Sequence, residues 1–213
     1  MLLDSTAPTG RLHVVTDTRL QTRHPHAELA RLAALGGADT VQFRHKHGPM
    51  RARWGALTET AEACHAAGVA LIVDDHADLA LAIGAGVHIG QADLPVDVVR
   101  RLLGPAVTVG ATASTVSEAL DAEAAGASYI GFGPVFGTAS KENPAPAPGL
   151  DGLAAACAAV RIPVVAIGGM TPARVADVLG AGAWGIAVLS AVVCAPDVTA
   201  AAAAFRDAID AAR

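Results

Sequence analysis

Apolar residues along this chain come in short runs of four or five, most of them closed by a polar residue or a glycine. Between the runs lie alanine-rich stretches whose apolar positions recur every three or four residues, the helical period. The short runs predict strands at 12–16, 40–44, 70–74, 86–90, 106–110, 128–132, 164–167 and 185–189. The intervening stretches predict helices at 28–35, 50–67, 77–83, 96–103 and 198–212, several stopped by a glycine such as Gly68, Gly84 or Gly104. Thr115 and Glu118 have capping-box spacing for a further helix. Eight strands, each followed by a helix or helix candidate, fill the chain at about 27 residues per unit.

Strict alternation means a parallel sheet. Eight units favour closure, so the expected fold is α/β, a single (β/α)8 TIM barrel occupying one domain, 1–213, with 1–10 as a flexible N-terminal extension. The runner-up is an open doubly wound sheet. Its dinucleotide-binding version would need a glycine fingerprint after strand one, where Asp17-Thr18-Arg19 stands instead. One connection breaks the rhythm: residues 133–149 are long and rich in glycine and proline. Following strand six, they fall on the face where barrels carry their active sites.

Composition narrows the function classes. Hydrophobic residues make up 53% and charged residues 16%, which argues against disorder. No run of about eighteen apolar residues is free of charges and breakers, so no membrane span is expected. Residues 1–10 lack a basic region and a long apolar stretch, so no signal peptide is expected and the cytoplasm is the expected location. Cys64, Cys157 and Cys194 are far apart and show no metal-ligand spacing, in keeping with reduced thiols. A formal charge of −5 gives no support for nucleic-acid binding, so any anion site must be local.

The chemistry gathers at strand ends. Val73-Asp74-Asp75-His76 and Val87-His88-Ile89-Gly90-Gln91-Ala92-Asp93 both run from apolar residues into carboxylates. Neighbouring parallel strands lie roughly 5 Å apart, so Asp75 and Asp93 can reach one hard divalent cation, which points to magnesium and a phosphorylated substrate. Taken singly, Asp75 reads as well as a helix N-cap and Asp93 as a turn acid. Gln42, Arg44 and Lys46 alternate at the end of strand two and face one way, suited to an anionic, ring-bearing ligand. Thr138-Ala139-Ser140-Lys141 in the long loop, Gly168-Gly169-Met170-Thr171-Pro172 after strand seven and Leu189-Ser190-Ala191 after strand eight are candidate phosphate contacts. His13 and His65 read as structural or exposed, and the direction of His88 is open.

This ordered set, with Gln42-Phe43-Arg44-His45-Lys46 and Gly133-Pro134-Val135-Phe136 among it, resembles the thiamine phosphate synthase (thiamine-phosphate pyrophosphorylase) family along nearly the whole chain. The resemblance implies a transferase that joins a hydroxymethylpyrimidine diphosphate to a thiazole phosphate, releasing pyrophosphate through a dissociative pyrimidine cation. It implies Arg44, Lys46 and Lys141 as catalytic cations. Gln42, Arg44 and Lys46 would hold the pyrimidine diphosphate, helped by Asp74 and Lys141 and with Thr112 near it, and Phe43 and His45 count among the substrate-binding residues. Thr138, Ala139, Ser140, Gly169, Leu189 and Ser190 would hold the thiazole phosphate, and Asp75 and Asp93 magnesium. Its partners would be these small molecules, not nucleic acid or membrane, with a homo-oligomer left open. Departures are Asp74 where asparagine is usual, Thr112 for serine, His45 for an acid, and Glu142 after Lys141. The related thiazole tautomerase branch lacks the paired acids and has a histidine where Ser114 stands. The other alternative is a non-catalytic phosphate-binding or regulatory barrel.

Overall fold

The computed structural model describes residues 9–138 and 146–212. Eight parallel strands close into a barrel in sequence order: β1 (Leu12–Thr16), β2 (Thr40–Phe43), β3 (Ala70–Asp74), β4 (Gly86–Ile89), β5 (Val109–Ala113), β6 (Tyr129–Phe132), β7 (Val164–Ile167) and β8 (Gly185–Val188), with β8 returning to β1. Around them run α1 (His26–Leu35), α2 (Met50–Ala67), α3 (Ala77–Ile83), α4 (Val96–Leu103), α5 (Val116–Ala124), α6 (Gly149–Ala159), α7 (Val175–Gly180), α8 (Ser190–Val193) and α9 (Val198–Ala211). Among the described residues, no helix is long and apolar enough to cross a membrane.

Alternation along the strands separates two interiors. Leu12, Val14, Val41, Phe43, Val73, Val87, Ala111, Ile130, Phe132 and Ile186 point outward and are buried against the helices. The positions between them fill the barrel itself, and many are polar: His13, Gln42, Asp74, His88, Thr112 and Tyr129 accompany Val15, Ile72, Val165 and Ala187. A barrel interior is usually packed with branched apolar residues. Here the polar members occupy one continuous side, β1 to β6, and their hydrogen bonds have to be satisfied inside the barrel.

Strand five departs from the expectation of 106–110 by three residues, since it spans Val109–Ala113. The cause is Arg100 on α4. Its guanidinium donates to the carbonyls of Gly104 (3.1 Å), Val107 and Gly126 (2.8 and 3.0 Å) and to Ser128 Oγ (2.9 Å). This fixes residues 104–107 as a turn and delays the strand. Thr112 thereby lies within β5, paired with Gly131 of β6, and faces the barrel axis. The Thr115–Glu118 capping box is present at α5. Thr171 heads a short 3₁₀ turn, Pro172–Arg174, and makes no side-chain cap.

Removing the Arg100 guanidinium strands several carbonyls that few other donors can reach. Arg100→Met should lower the unfolding free energy by about 2 kcal/mol, the scale of a lost charge-assisted hydrogen bond with its unpaired acceptors. Urea unfolding monitored by circular dichroism measures this; an unchanged midpoint would show that the turn holds without it.

Candidate active site

Three strand ends on one side of the mouth bring cations and carboxylates together. Past β2, Arg44 and Lys46 reach toward the end of β3. Gln42 Nε2 donates to Asp74 Oδ1 at 2.6 Å. Lys46 Nζ lies 3.1 Å from Asp74 Oδ2 and donates to Asp75 Oδ2. Arg44 Nε is 3.7 Å from Asp74 Oδ2, and its Nη1 donates to Asp17. The common direction expected for Gln42, Arg44 and Lys46 is therefore seen as convergence on Asp74.

Asp17, which the sequence reading passed over, closes β1 and is buried. Its other oxygen accepts the backbone N–H groups of Arg19 (2.7 Å) and Leu20 (3.0 Å), which ties the β1–α1 turn to the carboxylate that holds Arg44. The signal was available: strand one, like strand three, is a buried apolar run ending in an acid.

Asp75 has φ 63°, the only non-glycine in the left-handed region among the described residues. Its N–H donates to His88 O (2.8 Å), and His76 N–H reaches back to Asp74 O (2.8 Å), a tight three-residue turn centred on Asp75. Such a conformation costs on the order of 1–3 kcal/mol and persists where its surroundings enforce it. The turn aims the Asp75 carboxylate at Asp93, with which it shares a hydrogen bond. Asp93 is held in turn by Gly90 N–H at 2.8 Å.

These groups shift one another's proton affinity. Burial, then the charge of Asp75, pushes Asp74 up to about 6 against the pull of Lys46 and Arg44. Burial pushes Asp75 up as well, but the Lys46 ammonium outweighs it and the net shift is downward. Asp93 is raised by burial and by Asp75, against the Gly90 N–H. Lys46, opposed by burial, is raised by Asp74 and Asp75. Among the described residues, no group of three or more His, Cys, Asp or Glu is arranged to hold a metal ion. Magnesium, however, is commonly bound through one or two carboxylates plus substrate phosphate. Two carboxyls close enough to share a proton fit that requirement, because a divalent cation can replace the proton.

The other members of the expected set are more dispersed. The Phe43 side chain lies in the helix-facing core, its ring 4.5 Å from that of His26. The His45 ring lies 5.1 Å from His26 and 5.8 Å from Phe43. His45 also lines a hollow of about 220 Å³ with Asp17, Arg19, Arg44 and Lys46. Ser114 is turned to the start of α5, where its N–H (2.6 Å) and Oγ (2.8 Å) both donate to Glu118. His88 points into the barrel, with Nε2 2.9 Å from Thr112 Oγ1.

Across the mouth, Gly168 (φ 98°) and Gly169 (φ 66°) turn the chain after β7. A Cβ on Gly169 would lie 2.9 Å from Gly137 O, and one on Gly168 would lie 2.5 Å from Pro134 Cβ, so this turn and the start of the long β6–α6 connection need glycine to approach. After β8, Leu189 is the N-cap of α8 and Ser190 its first residue. Thr138 is half-buried at the edge of the described chain. Ala139, Ser140 and Lys141 lie outside the described residues. A larger hollow, about 430 Å³, lies at the opposite end of the barrel among Arg11, Arg161 and Trp184, away from this chemistry.

Known proteins are similar to this chain in sequence and fold. The family described as thiamine monophosphate synthase matches residues 12–192. A thiamine-phosphate synthase of Salinibacter ruber is 55% identical over 94% of this chain and 89% of its own. Another, of Methanoculleus marisnigri, is 48% identical over 95% of this chain and 96% of its own. The solved thiamine phosphate pyrophosphorylase of Pyrococcus furiosus superimposes with a TM-score of 0.86 at 36% identity, covering 100% of this chain and 99% of that one. A 3-hexulose-6-phosphate synthase at 21% identity and TM-score 0.66 shares the fold alone.

Asp74 gives a pH-dependent stability. A carboxyl raised from 3.8 to about 6 on folding destabilises the folded state once it must ionise, so its cost grows between about pH 4 and 6 and is constant above. Asp74→Asn should therefore raise the melting temperature at pH 8, by up to about 3 kcal/mol in stability, with the gain vanishing toward pH 4. A gain that did not fade on acidification would contradict this origin.

Proposed function

The chain belongs to the thiamine monophosphate synthase family, and on that premise we propose that it condenses 4-amino-2-methyl-5-hydroxymethylpyrimidine diphosphate with 4-methyl-5-(2-phosphoethyl)thiazole or its carboxylated form. The products are thiamine phosphate and pyrophosphate, with carbon dioxide released as well when the thiazole is the carboxylated form. The observation that carries this reading is the meeting of Gln42, Arg44 and Lys46 with Asp74, Asp75 and Asp93 on one side of the mouth. Opposite, after β7, stands the Gly168–Gly169 turn. One side suits a diphosphate with its cation, the other a phosphate monoester.

The reaction is dissociative. The bond from the pyrimidine's exocyclic carbon to the diphosphate oxygen breaks first, and the electron pair leaves with pyrophosphate. The thiazole nitrogen then donates its lone pair to the resulting cation. That nitrogen is already a nucleophile, so no general base is required. What the protein supplies is charge and exclusion of water. Arg44 and Lys46 are held in place by Asp17, Asp74 and Asp75, so they meet the growing charge on pyrophosphate without reorganising. Lys141 adds a third positive charge. Asp75 and Asp93 would hold a magnesium ion, which when bound supplies further positive charge to the departing pyrophosphate. Thr138, Ala139, Ser140, Gly169, Leu189 and Ser190 hold the thiazole phosphate, mainly through backbone and hydroxyl donors. Substrates of this class place the enzyme in the cytoplasm.

The direct test supplies both substrates and magnesium to the purified protein and follows thiamine phosphate and pyrophosphate. Asp75→Ala and Asp93→Ala should each weaken magnesium binding to the ligand-free protein at least tenfold by calorimetry and reduce turnover, with the circular dichroism spectrum intact. Wild-type affinity in both variants would remove the ion from these residues. Lys141→Ala should lower the turnover number at saturating substrate by about thirty- to a thousandfold, the equivalent of roughly 2–4 kcal/mol. An effect confined to the Michaelis constants would reduce Lys141 to a binding residue.

A further inference from the structure

Below the charged mouth, the barrel holds a second polar constellation, in which only Thr112 is expected to touch substrate and the other members have no assigned part. Tyr129 on β6 is 1% exposed, and its hydroxyl lies 3.0 Å from His88 Nδ1. The other ring nitrogen of His88 lies 2.9 Å from Thr112 Oγ1. Three side chains from β6, β4 and β5 thus form a continuous hydrogen-bonded row. His13 on β1 closes it from beneath, its ring edge-on to Tyr129 at 5.4 Å.

Two strand glycines make room for the row. A Cβ on Gly110 would fall 2.2 Å from Tyr129 Cζ, and one on Gly131 would fall 2.7 Å from His88 Cε1. Both glycines sit inside strands, where the residue is unfavourable unless something must approach closely. Gly131 pairs directly with Thr112, and Gly110 with Tyr129. The backbone is pared away at the two positions the rings occupy.

The polarity of the row follows from satisfaction of its deepest member. Among the described residues, the Tyr129 hydroxyl has one hydrogen-bond partner, His88 Nδ1. A buried O–H must donate, because leaving the proton unpaired is costly. Burial also raises the Tyr129 hydroxyl well above the ordinary phenol range, so it keeps its proton. His13 does not compete for it: its Nε2 pairs with Gly10 O at 3.0 Å, and its ring meets the Tyr129 ring edge-on, with no hydrogen bond to the hydroxyl. Tyr129 therefore donates to His88 Nδ1, and the His88 proton sits on Nε2. Nε2–H then donates to Thr112 Oγ1, which leaves the Thr112 proton pointing onward to the substrate side.

We infer that Tyr129 and His88 are positioning residues that set the direction of the Thr112 hydroxyl, so that Thr112 presents a hydrogen-bond donor to an acceptor on the pyrimidine diphosphate. This rests on the proposed reading of Thr112 as a contact to that substrate. Without the row, a threonine hydroxyl rotates freely and can offer a lone pair as readily as a proton. An electron-rich ligand carrying phosphoryl oxygens and ring nitrogens needs the donor.

Nitrogen-15 NMR of the histidine side chains in the ligand-free wild-type protein, with the His88 signals assigned by their loss in His88→Asn, reads the tautomer directly. Protonation at Nε2 is the expected result; protonation at Nδ1 would overturn the relay. Kinetics read its consequence. Thr112→Val and Tyr129→Phe should each lower kcat/KM for the pyrimidine diphosphate about tenfold, with KM for the thiazole phosphate within twofold of wild type. Thr112→Ser should recover most of the loss. The double variant Tyr129→Phe/Thr112→Val should be no worse than Thr112→Val alone, because Tyr129 acts through Thr112. Additive losses, equal effects on both substrates, or a silent Thr112→Val would overturn the inference. Thiamine phosphate formation by the wild-type protein reports separately on the proposed reaction.

Discussion

Among the described residues, carboxylates outnumber cations where the ends of β1 to β4 meet, and much else follows from that imbalance. Arg44 and Lys46 meet Asp17, Asp74 and Asp75, and Asp93 joins through Asp75. Four negative groups around two positive ones, several of them buried, cannot all stay ionised without help. Burial and mutual repulsion favour protonation here: Asp74 is raised to about 6, and Asp93 is raised by burial and by Asp75. A diphosphate arriving here would worsen the imbalance. A divalent cation accompanying it would offset most of the charge it brings, which is the physical reason the proposed magnesium and the proposed substrate belong together.

The backbone is shaped to maintain this crowding. The strained turn at Asp75, the Gly90 amide on Asp93 and the Asp17 carboxylate capping the β1 turn each hold a charged group where it would not rest by itself. Lys46 takes the position between Asp74 and Asp75, so the site is preorganised around positive charge before any ligand enters. The barrel interior beneath continues the theme. Tyr129, His88 and Thr112 exchange hydrogen bonds where branched apolar residues would ordinarily pack, at the expense of two glycines in the strands.

Much of this was legible from the chain alone, for reasons that differ by element. Strands such as 70–74 and 164–167 are apolar runs with clear stops, and they appear at those bounds. Convergence of Gln42, Arg44 and Lys46 followed from period-two alternation, which a parallel strand obeys closely. Strand five was misplaced because a turn held by Arg100, from an element earlier in the chain, cannot be read from local hydropathy. His88 was left undirected because its direction depends on strand register, and Asp17 was missed because one acid at one strand end carries little weight. Gly110 and Gly131 were the readable clue to the inner row: glycines in mid-strand mark a close approach, although not by what.

The central claim is that the crowded carboxyls are a site for a divalent cation held in reserve by protons. Magnesium binding to the ligand-free protein near pH 6 should then release protons, since the ion opposes the protonation favoured at the raised carboxyls Asp74 and Asp93. Calorimetry in two buffers of different ionisation enthalpy measures that release. The account predicts a buffer-dependent heat corresponding to a net proton loss that shrinks toward pH 8. Binding whose heat is the same in both buffers would contradict it.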